Sequence, residues 1–315
     1  MSVRPNLPVV VITPFYNSEE GLTRCIESVL NQSFSNFEYI LADNRSDDGS
    51  GHIARSYLEK DSRVRYRYFS EFVSQRENYN RALRELPASA RYCKIVQADD
   101  FLYPSCLEEM LMLAALHPSA GVISSVRSID GQQDPPNAHL VPEFGSGRDI
   151  ARATILGKFY AFGSPTTVMY RGDLVRERVD FFRKGAFFDD TDAILELLKH
   201  SDFAFCQKRL THTTRDPESI LGRVLSFDIS LLYRFMTARR IGRCFFSENE
   251  LARLMHYLTR AYYDQFVRSL VHRHDRWNYL AFHRNVLRDS AAIKIDLVST
   301  CRSFFRNLAR RYLAS

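Results

Sequence analysis

From Val9 to about Val126 short apolar runs alternate with stretches in which apolar residues recur every three or four positions. Runs of the first kind predict strands buried on both faces, and stretches of the second kind predict helices laid over them. Strands are expected at "VVVIT" (9–13), "EYILA" (38–42), "VRYRYF" (64–69), "YCKIVQADD" (92–100) and "AGVISSV" (120–126). After the first strand Leu22, Ile26, Val29 and Leu30 share one helical face, and Asn17 or Ser18 can cap that helix. "DDGSG" (47–51) is turn chemistry leading into a second helix, and two more are expected at "ENYNRALREL" (77–86) and from about Ser105 to Leu116. Such alternation defines an α/β fold with a mostly parallel sheet flanked by helices.

Beyond Arg127 the pattern breaks. Residues 127–147 are rich in Pro, Gly, Asp and Gln and read as an irregular surface excursion. "PTTVMYR" (165–171) and "DFAFCQ" (202–207) predict strands, and "DDTDAILELLKH" (189–200) starts acidic and turns amphipathic. From about Glu218 the period is helical throughout, and Ser247 with Glu250 forms a capping box ahead of Leu251, Leu254, Leu258 and Ala261. Two domains are therefore expected, 1–220 as an α/β body and 221–315 as an α-helical C-terminal extension.

Composition narrows the function classes. The 315 residues are 45% hydrophobic and 25% charged, as in a globular protein with a full core. No run approaches the roughly 18 consecutive apolar residues of a spanning helix, and the N-terminus lacks signal-peptide order, so a cytoplasmic location is expected. Six cysteines without CxxC spacing read as reduced, packed thiols. The net charge of +6 matches the surplus within residues 273–315, nine Lys and Arg against three Asp and Glu. A neutral body argues against nucleic acid as partner. In the tail Leu297, Cys301, Phe304, Phe305, Leu308 and Tyr312 fall on one helical face and Arg302, Arg306, Arg310 and Arg311 on another. That pattern suits either an anionic membrane surface or packing against the body with solvated arginines.

In an open parallel sheet ligands gather beyond the carboxyl ends of the strands. Polar residues stand at three such ends: Thr13, Pro14, Tyr16 and Asn17; Asp43, Asn44, Asp47 and Asp48; Asp99 and Asp100. Glycine-rich phosphate loops are absent, so a divalent cation on carboxylates is the expected substitute. Each cluster alone has a plainer reading. Asp99-Asp100 suits a helix cap, 43–49 a turn, Asp189 to Asp192 an acidic first turn, and His212 a satisfied histidine. Their joint occurrence at corresponding ends favours a site.

"VVITPFYN", "LADNRSDDGS", "ENYNRAL", "VQADDFLYP" and "FFDDTDAILELL", in this order and spacing, resemble family 2 glycosyltransferases of the GT-A fold. The resemblance spans roughly residues 7–220. It implies a Rossmann-like GT-A sheet and inverting transfer of a sugar from a UDP-, dTDP- or GDP-linked donor to a saccharide or lipid-linked saccharide acceptor. It further implies that Thr13, Pro14, Tyr16 and Asp43 line the base and ribose pocket and that Asn80 lies near the donor. By the same likeness Asp99 ligates a divalent cation, Mn2+ or Mg2+, and Asp190 is the catalytic base beside Asp189. Ser164, Thr166 and Asp189 would lie on the acceptor side, and His212 would be a further metal ligand. The chain departs from the family pattern at Gln97, where an acid is usual. An amide is a weaker ligand for a hard cation, so Gln97 bears directly on metal dependence. Metal-stabilised departure of the diphosphate and deprotonation of the incoming hydroxyl are what the reaction needs. Two rival readings are a non-catalytic nucleotide-sugar-binding protein, for which Gln97 is the best argument, and a sugar nucleotidyltransferase. The latter should carry a basic, glycine-rich N-terminal loop, which "VITPFYNSEEG" is not.

Overall fold

The computed structural model describes residues 8–129, 131–184, 188–214 and 227–290. The chain divides into two compact units, Met1–Thr154 with Lys158–Thr214, and Ile155–Gly157 with Arg215–Ser315. The expected domain boundary near residue 220 and the basic helix at 297–312 lie outside the described residues.

The first unit begins with strand β1 (Val9–Phe15), helix α1 (Glu19–Leu30), β2 (Phe37–Asp43), α2 (Ser50–Lys60), β3 (Val64–Tyr68), α3 (Gln75–Arg84) and β4 (Tyr92–Ile95). Every residue of β1 is buried, as a central parallel strand covered on both faces requires. On α1, Leu22, Cys25, Ile26 and Val29 form the buried stripe, and Glu19 and Glu20 occupy the first turn, where negative charge favours the helix. The unit continues with β5 (Phe101–Leu102), α4 (Cys106–Leu116), β6 (Ala120–Ile129), β7 (Gln132–Asp134), β8 (Phe144–Gly145), α5 (Gly147–Leu156), β9 (Met169–Arg171), α6 (Gly172–Arg176), α7 (Asp189–Leu197) and β10 (Asp202–Thr213).

Among the described residues these strands form one ten-stranded sheet, with the path β3-β2-β1-β4-β9-β6-β10-β5. Its first half is parallel, as the pattern predicts. The second half corrects it. Strand β9 enters antiparallel between β4 and β6. Of "PTTVMYR" only Met169–Arg171 is strand, because Pro165–Thr167 coil into a 3-10 turn with proline at its start, where a missing N–H removes no bond. The "DFAFCQ" strand runs on to Thr213, held parallel to β6 through three register shifts. Strand β4 stops at Ile95, so the acid pair sits on the turn that follows it.

One core cluster joins β1, β2 and β4 to α1 and α4 through Val11, Leu41 and Val96 against Leu22, Ile26, Leu107 and Met110. Cys25, Cys93 and Cys106 are free and buried, Cys206 is half-buried and Cys244 is exposed. In the second unit α8 (Ser230–Ile241), α9 (Glu248–His272) and α10 (Arg276–Ser290) follow, and the Ser247–Glu250 capping box forms as expected. Its core includes the buried His283, whose Nδ1 is 2.9 Å from the Tyr262 hydroxyl and whose Nε2 is 2.9 Å from the Phe227 carbonyl. Among the described residues no helix is long and apolar enough to cross a membrane.

Candidate active site

The ends of β1, β2 and β4 point the same way because these strands are mutually parallel. Ile12 gives its carbonyl to Val96 on the β4 side, and Phe15 gives its carbonyl to Asn44 on the β2 side. By alternation Pro14 turns its nitrogen to the β4 side, beyond Ile12 and Ile95, the last residues that pair there. A proline there interrupts nothing and lets the chain leave the sheet.

The loops after β1 and β2 are tied together. Asn17 donates from Nδ2 to Asp47 at 2.6 Å and accepts the Asp47 N–H at 3.0 Å. The Asp48 carboxylate accepts the backbone N–H groups of Glu19 and Ser50, so it caps α1 and α2 together, while the Ser50 hydroxyl accepts the Ser18 N–H. Ser18 stands at the cap position of α1 but gives its own hydroxyl to the Tyr16 carbonyl. Asn17 and Arg45 both adopt left-handed backbone, at φ 46° and 64°, a conformation that costs side-chain-bearing residues energy and recurs at functional loops.

On this base sit the expected donor residues, and not all face outward. Tyr16 is 42% exposed and its ring meets Phe72 at 4.7 Å. Asp43 is buried, with its carboxylate accepting the Tyr66 hydroxyl and the Ser46 N–H, each at 2.7 Å. Thr13 turns inward instead: its hydroxyl is fully buried and shares a 2.8 Å hydrogen bond with the Tyr39 hydroxyl, which leaves only its backbone for a ligand. The Asn80 amide clamps the Phe182 backbone, donating to the carbonyl at 2.9 Å and accepting the N–H at 2.8 Å, so it carries a role in the fold.

Beyond β4 the chain turns, the Asp100 N–H bonding the Gln97 carbonyl, and presents Asp99 to solvent while burying Asp100. Arg24 and Thr214 both donate to the Asp99 carbonyl, and the Thr214 N–H reaches Asp100 Oδ1 at 2.9 Å. Asp100 Oδ2 is buried with no hydrogen-bond partner. Burial, and after it the Asp99 charge, push the Asp100 carboxyl up to about 7. Gly21 allows the approach of α1 to this turn: a Cβ there would lie 2.8 Å from the Ala98 carbonyl oxygen and 3.1 Å from Asp99 Cα.

Thr166, expected at an acceptor surface, is fully buried beneath this turn, and its hydroxyl accepts the Gln97 N–H at 3.0 Å. Ser164 is half-buried, with its hydroxyl 3.2 Å from that of Thr213. Tyr160 carries the connection onward, donating to the Gly163 carbonyl and lying 2.9 Å from the Thr191 hydroxyl at the start of α7. There Asp189 pairs with Arg76, and Asp190 accepts the Thr191 N–H at 2.7 Å. Burial raises the Asp190 carboxyl above its ordinary value, and Arg127 pulls both Asp190 and Asp100 the other way, which puts the two acids in the field of one guanidinium. Asp189 is also raised by burial, with Arg76 opposing.

His212 lies beside the acid turn, on β10. Its ring stacks on Phe101 at 4.4 Å and 13°, and its Nδ1 is 3.3 Å from the Ser128 hydroxyl. Among the described residues no group of three or more His, Cys, Asp or Glu is arranged to hold an ion. The donors present are Asp99 and the partnerless buried oxygen of Asp100. Two carboxylates fit a cation that takes its remaining ligands from phosphate oxygens, the usual arrangement for Mg2+. Gly21, Arg24, Phe72, Arg127 and Thr214 escaped the sequence reading, and only Gly21, a glycine inside a helical pattern, carried a signal.

A family model described as "Glycosyl transferase family 2" matches residues 10–179. TuaG of Bacillus subtilis, a glycosyltransferase named for teichuronic acid biosynthesis, is 34% identical over 151 residues, 47% of this chain and 59% of TuaG. Another relative, glycosyltransferase GlyG of Streptococcus pneumoniae, is 30% identical over 102 residues, 32% of this chain, and the match spans 33% of its own length. Among solved structures, S. aureus TarS 1-349 in complex with UDP-GlcNAc superposes with a TM-score of 0.68 at 18% identity, over 90% of this chain and 80% of that one. The mannosyltransferase PcManGT from Pyrobaculum calidifontis, in complex with GDP-Man and Mn2+, gives 0.54 at 16% identity, over 99% and 81%.

Proposed function

The chain belongs to glycosyl transferase family 2, and from that premise we propose that it transfers a sugar, with inversion, from a nucleotide-diphosphate donor to a saccharide or lipid-linked saccharide acceptor. The role is assembly of a surface polysaccharide or glycoconjugate, in keeping with the name of TuaG. One observation carries the reading: the chain segment 160–167 joins an acid pair at the end of β4 to the start of α7, since Thr166 bonds Gln97 beside the pair and Tyr160, which also bonds the Gly163 carbonyl, lies against Thr191.

The residues divide the work. Pro14, Tyr16 and Asp43, with the backbone of Thr13, receive the base and ribose. Asp99 and Asp100 would hold a divalent cation for the donor diphosphate, and it would supply stabilisation of the charge developing on the leaving group. Asp190 takes the proton of the incoming hydroxyl; its burial raises its basicity toward what a general base needs. Asp189, fixed by Arg76, holds the start of α7 in place. Arg127 lies within the field of both acids and limits their mutual repulsion with the phosphates. His212 is left out of this scheme. The domains are assigned as a catalytic body to about residue 220 and a helical extension beyond it. A cytoplasmic location follows for a nucleotide-sugar enzyme, with the basic segment 273–315 meeting an anionic membrane that carries the acceptor.

The test is a binding panel of UDP, GDP and dTDP with and without Mn2+ by calorimetry, followed by turnover of the matching nucleotide sugars with wild type and Asp190→Asn. Metal-enhanced binding of one nucleotide and loss of turnover by at least 10²-fold in the variant are expected. Full-rate transfer by Asp190→Asn overturns the base assignment. Binding without turnover on any acceptor favours a nucleotide-sugar-binding protein, the reading that Gln97 invites.

A further inference from the structure

Strand β4 contains a lysine where its neighbours are apolar. Lys94 sits between Cys93 and Ile95 in the middle of the sheet, paired in register with Val11 of β1 and Met169 of β9, and it is fully buried. Its ammonium donates to the Thr166 carbonyl at 2.6 Å and to the Val168 carbonyl at 3.4 Å. No carboxylate contacts it within ion-pair distance among the described residues. Burying an ammonium without a contacting counter-charge is costly, and a leucine or valine would fill the strand without that cost. The two carbonyls belong to the 3-10 turn Pro165–Thr167 and the residue that follows it, groups that the short turn does not satisfy itself. The turn in question is the floor of the acid loop, since the Thr166 hydroxyl accepts the Gln97 N–H.

We infer that Lys94 is a positioning residue for the cation-binding turn: it fixes the backbone of Thr166 from below, and Thr166 in turn sets where Gln97, Asp99 and Asp100 stand. The inference rests on the functional reading above, in which Asp99 and Asp100 take a cation with the donor diphosphate. Gln97 makes the support more consequential. With an amide where an acid is usual, the two remaining carboxylates must be correctly spaced to do the work of three. Lys94 touches neither nucleotide nor sugar in this scheme. Its effect passes chiefly through the backbone it holds, with a lesser electrostatic interaction with Asp100 beside it, and a displacement of about 1 Å can change a site's performance roughly 10²-fold.

The experiment compares wild type, Lys94→Met, Thr166→Val and Thr166→Ser in the full chain, measuring the affinity for UDP and for GDP with and without Mn2+, alongside unfolding temperature. Methionine keeps the length of the side chain and removes its donors. The expected result is that Lys94→Met loses roughly tenfold of the Mn2+-dependent tightening while its metal-free affinity stays within about twofold. A merely structural role would lower the unfolding temperature and weaken both affinities in parallel, and that pattern overturns the inference. Thr166→Val removes the hydroxyl that accepts the Gln97 N–H and also bonds the Asp100 carboxyl, while leaving the Lys94 carbonyl bonds in place, so it should lose at least as much, and Thr166→Ser should restore it. This pair decides the matter if Lys94→Met does not fold: an undiminished metal increment in Thr166→Val overturns the inference. Absence of any Mn2+-dependent binding by wild type overturns the functional reading and this inference together, whereas metal-dependent binding that Lys94→Met retains in full overturns the inference alone.

Discussion

Replacing Asp100 by Asn should make the protein more stable and less able to bind its ligand. Asp100 is 1% exposed, and its carboxylate is bonded by the Thr214 N–H and the Thr166 hydroxyl, with Oδ2 otherwise buried and unsatisfied. Burial, then repulsion from Asp99, carries it from the ordinary 3.8 to about 7. At roughly 1.4 kcal/mol per unit, that gap sets a ceiling of about 4 kcal/mol on the cost of the ionised group in the fold, and relaxation around the charge brings it nearer to about 2. The sign follows from proton uptake. Below pH 3.8 both folded and unfolded chains are protonated and the cost is absent; it grows as pH rises toward 7 and is complete above it. Asparagine keeps an oxygen for the Thr214 N–H and carries no charge at any pH. Without ligand, Asp100→Asn should therefore unfold roughly 4–8 °C higher than wild type at pH 8 and at nearly the same temperature at pH 4. With Mn2+ and the nucleotide it binds, the order should reverse, because wild type gains and the variant does not. A variant less stable than wild type at pH 8, or a difference that does not change between pH 4 and 8, would refute the reasoning.

Two further substitutions separate fold from site. Asn80→Leu keeps the volume but strands both the N–H and the carbonyl of Phe182, so it should cost about 2–4 kcal/mol in denaturant unfolding; a neutral result would return Asn80 to the donor side. Gly21→Ala should favour the helix by about 1 kcal/mol on propensity alone, yet its Cβ would press on Ala98 and Asp99. Weaker metal-dependent nucleotide binding is expected, and unchanged binding with a higher unfolding temperature would show that the turn tolerates the methyl.

The parallel half of the sheet was legible because strands buried on both faces are written as unbroken apolar runs, and Val9–Phe15 and Phe37–Asp43 fell close to their expected limits. The second half was not, because its connections are set by partners distant in sequence. A strand at 165–171 was expected, but its start at Met169 and its antiparallel place between β4 and β6 are set by partners that the local pattern does not contain. The same limit applies within the site. Asp43, Asp99 and Asp100 could be found because a strand end and an acid are both visible in sequence. The direction of a side chain is not: Thr13 and Tyr16, three residues apart, face the core and the solvent respectively, and Asn80 looked the same as a ligand-binding amide until Phe182 appeared beside it. Lys94 went unremarked in the sequence although it is a charge inside an apolar run, because its meaning depends on Thr166, 72 positions away.

Gln97 ties these observations together. Its N–H is committed to Thr166, and its side chain lies within reach of the Tyr79 hydroxyl, so the amide has a structural partner that a carboxylate there would meet on different terms. The strand end then presents two negative charges rather than three, one exposed at Asp99 and one held back by burial at Asp100. A hard cation offered only these two groups lacks ligands, and a diphosphate offered only these two groups meets repulsion. Brought together, each supplies what the other lacks, since the phosphate oxygens complete the coordination and the cation lowers the cost of ionising Asp100. On the proposed function the site would take cation and nucleotide as a complex, and stabilisation by the two together should then exceed the sum of their separate effects in the same unfolding measurements.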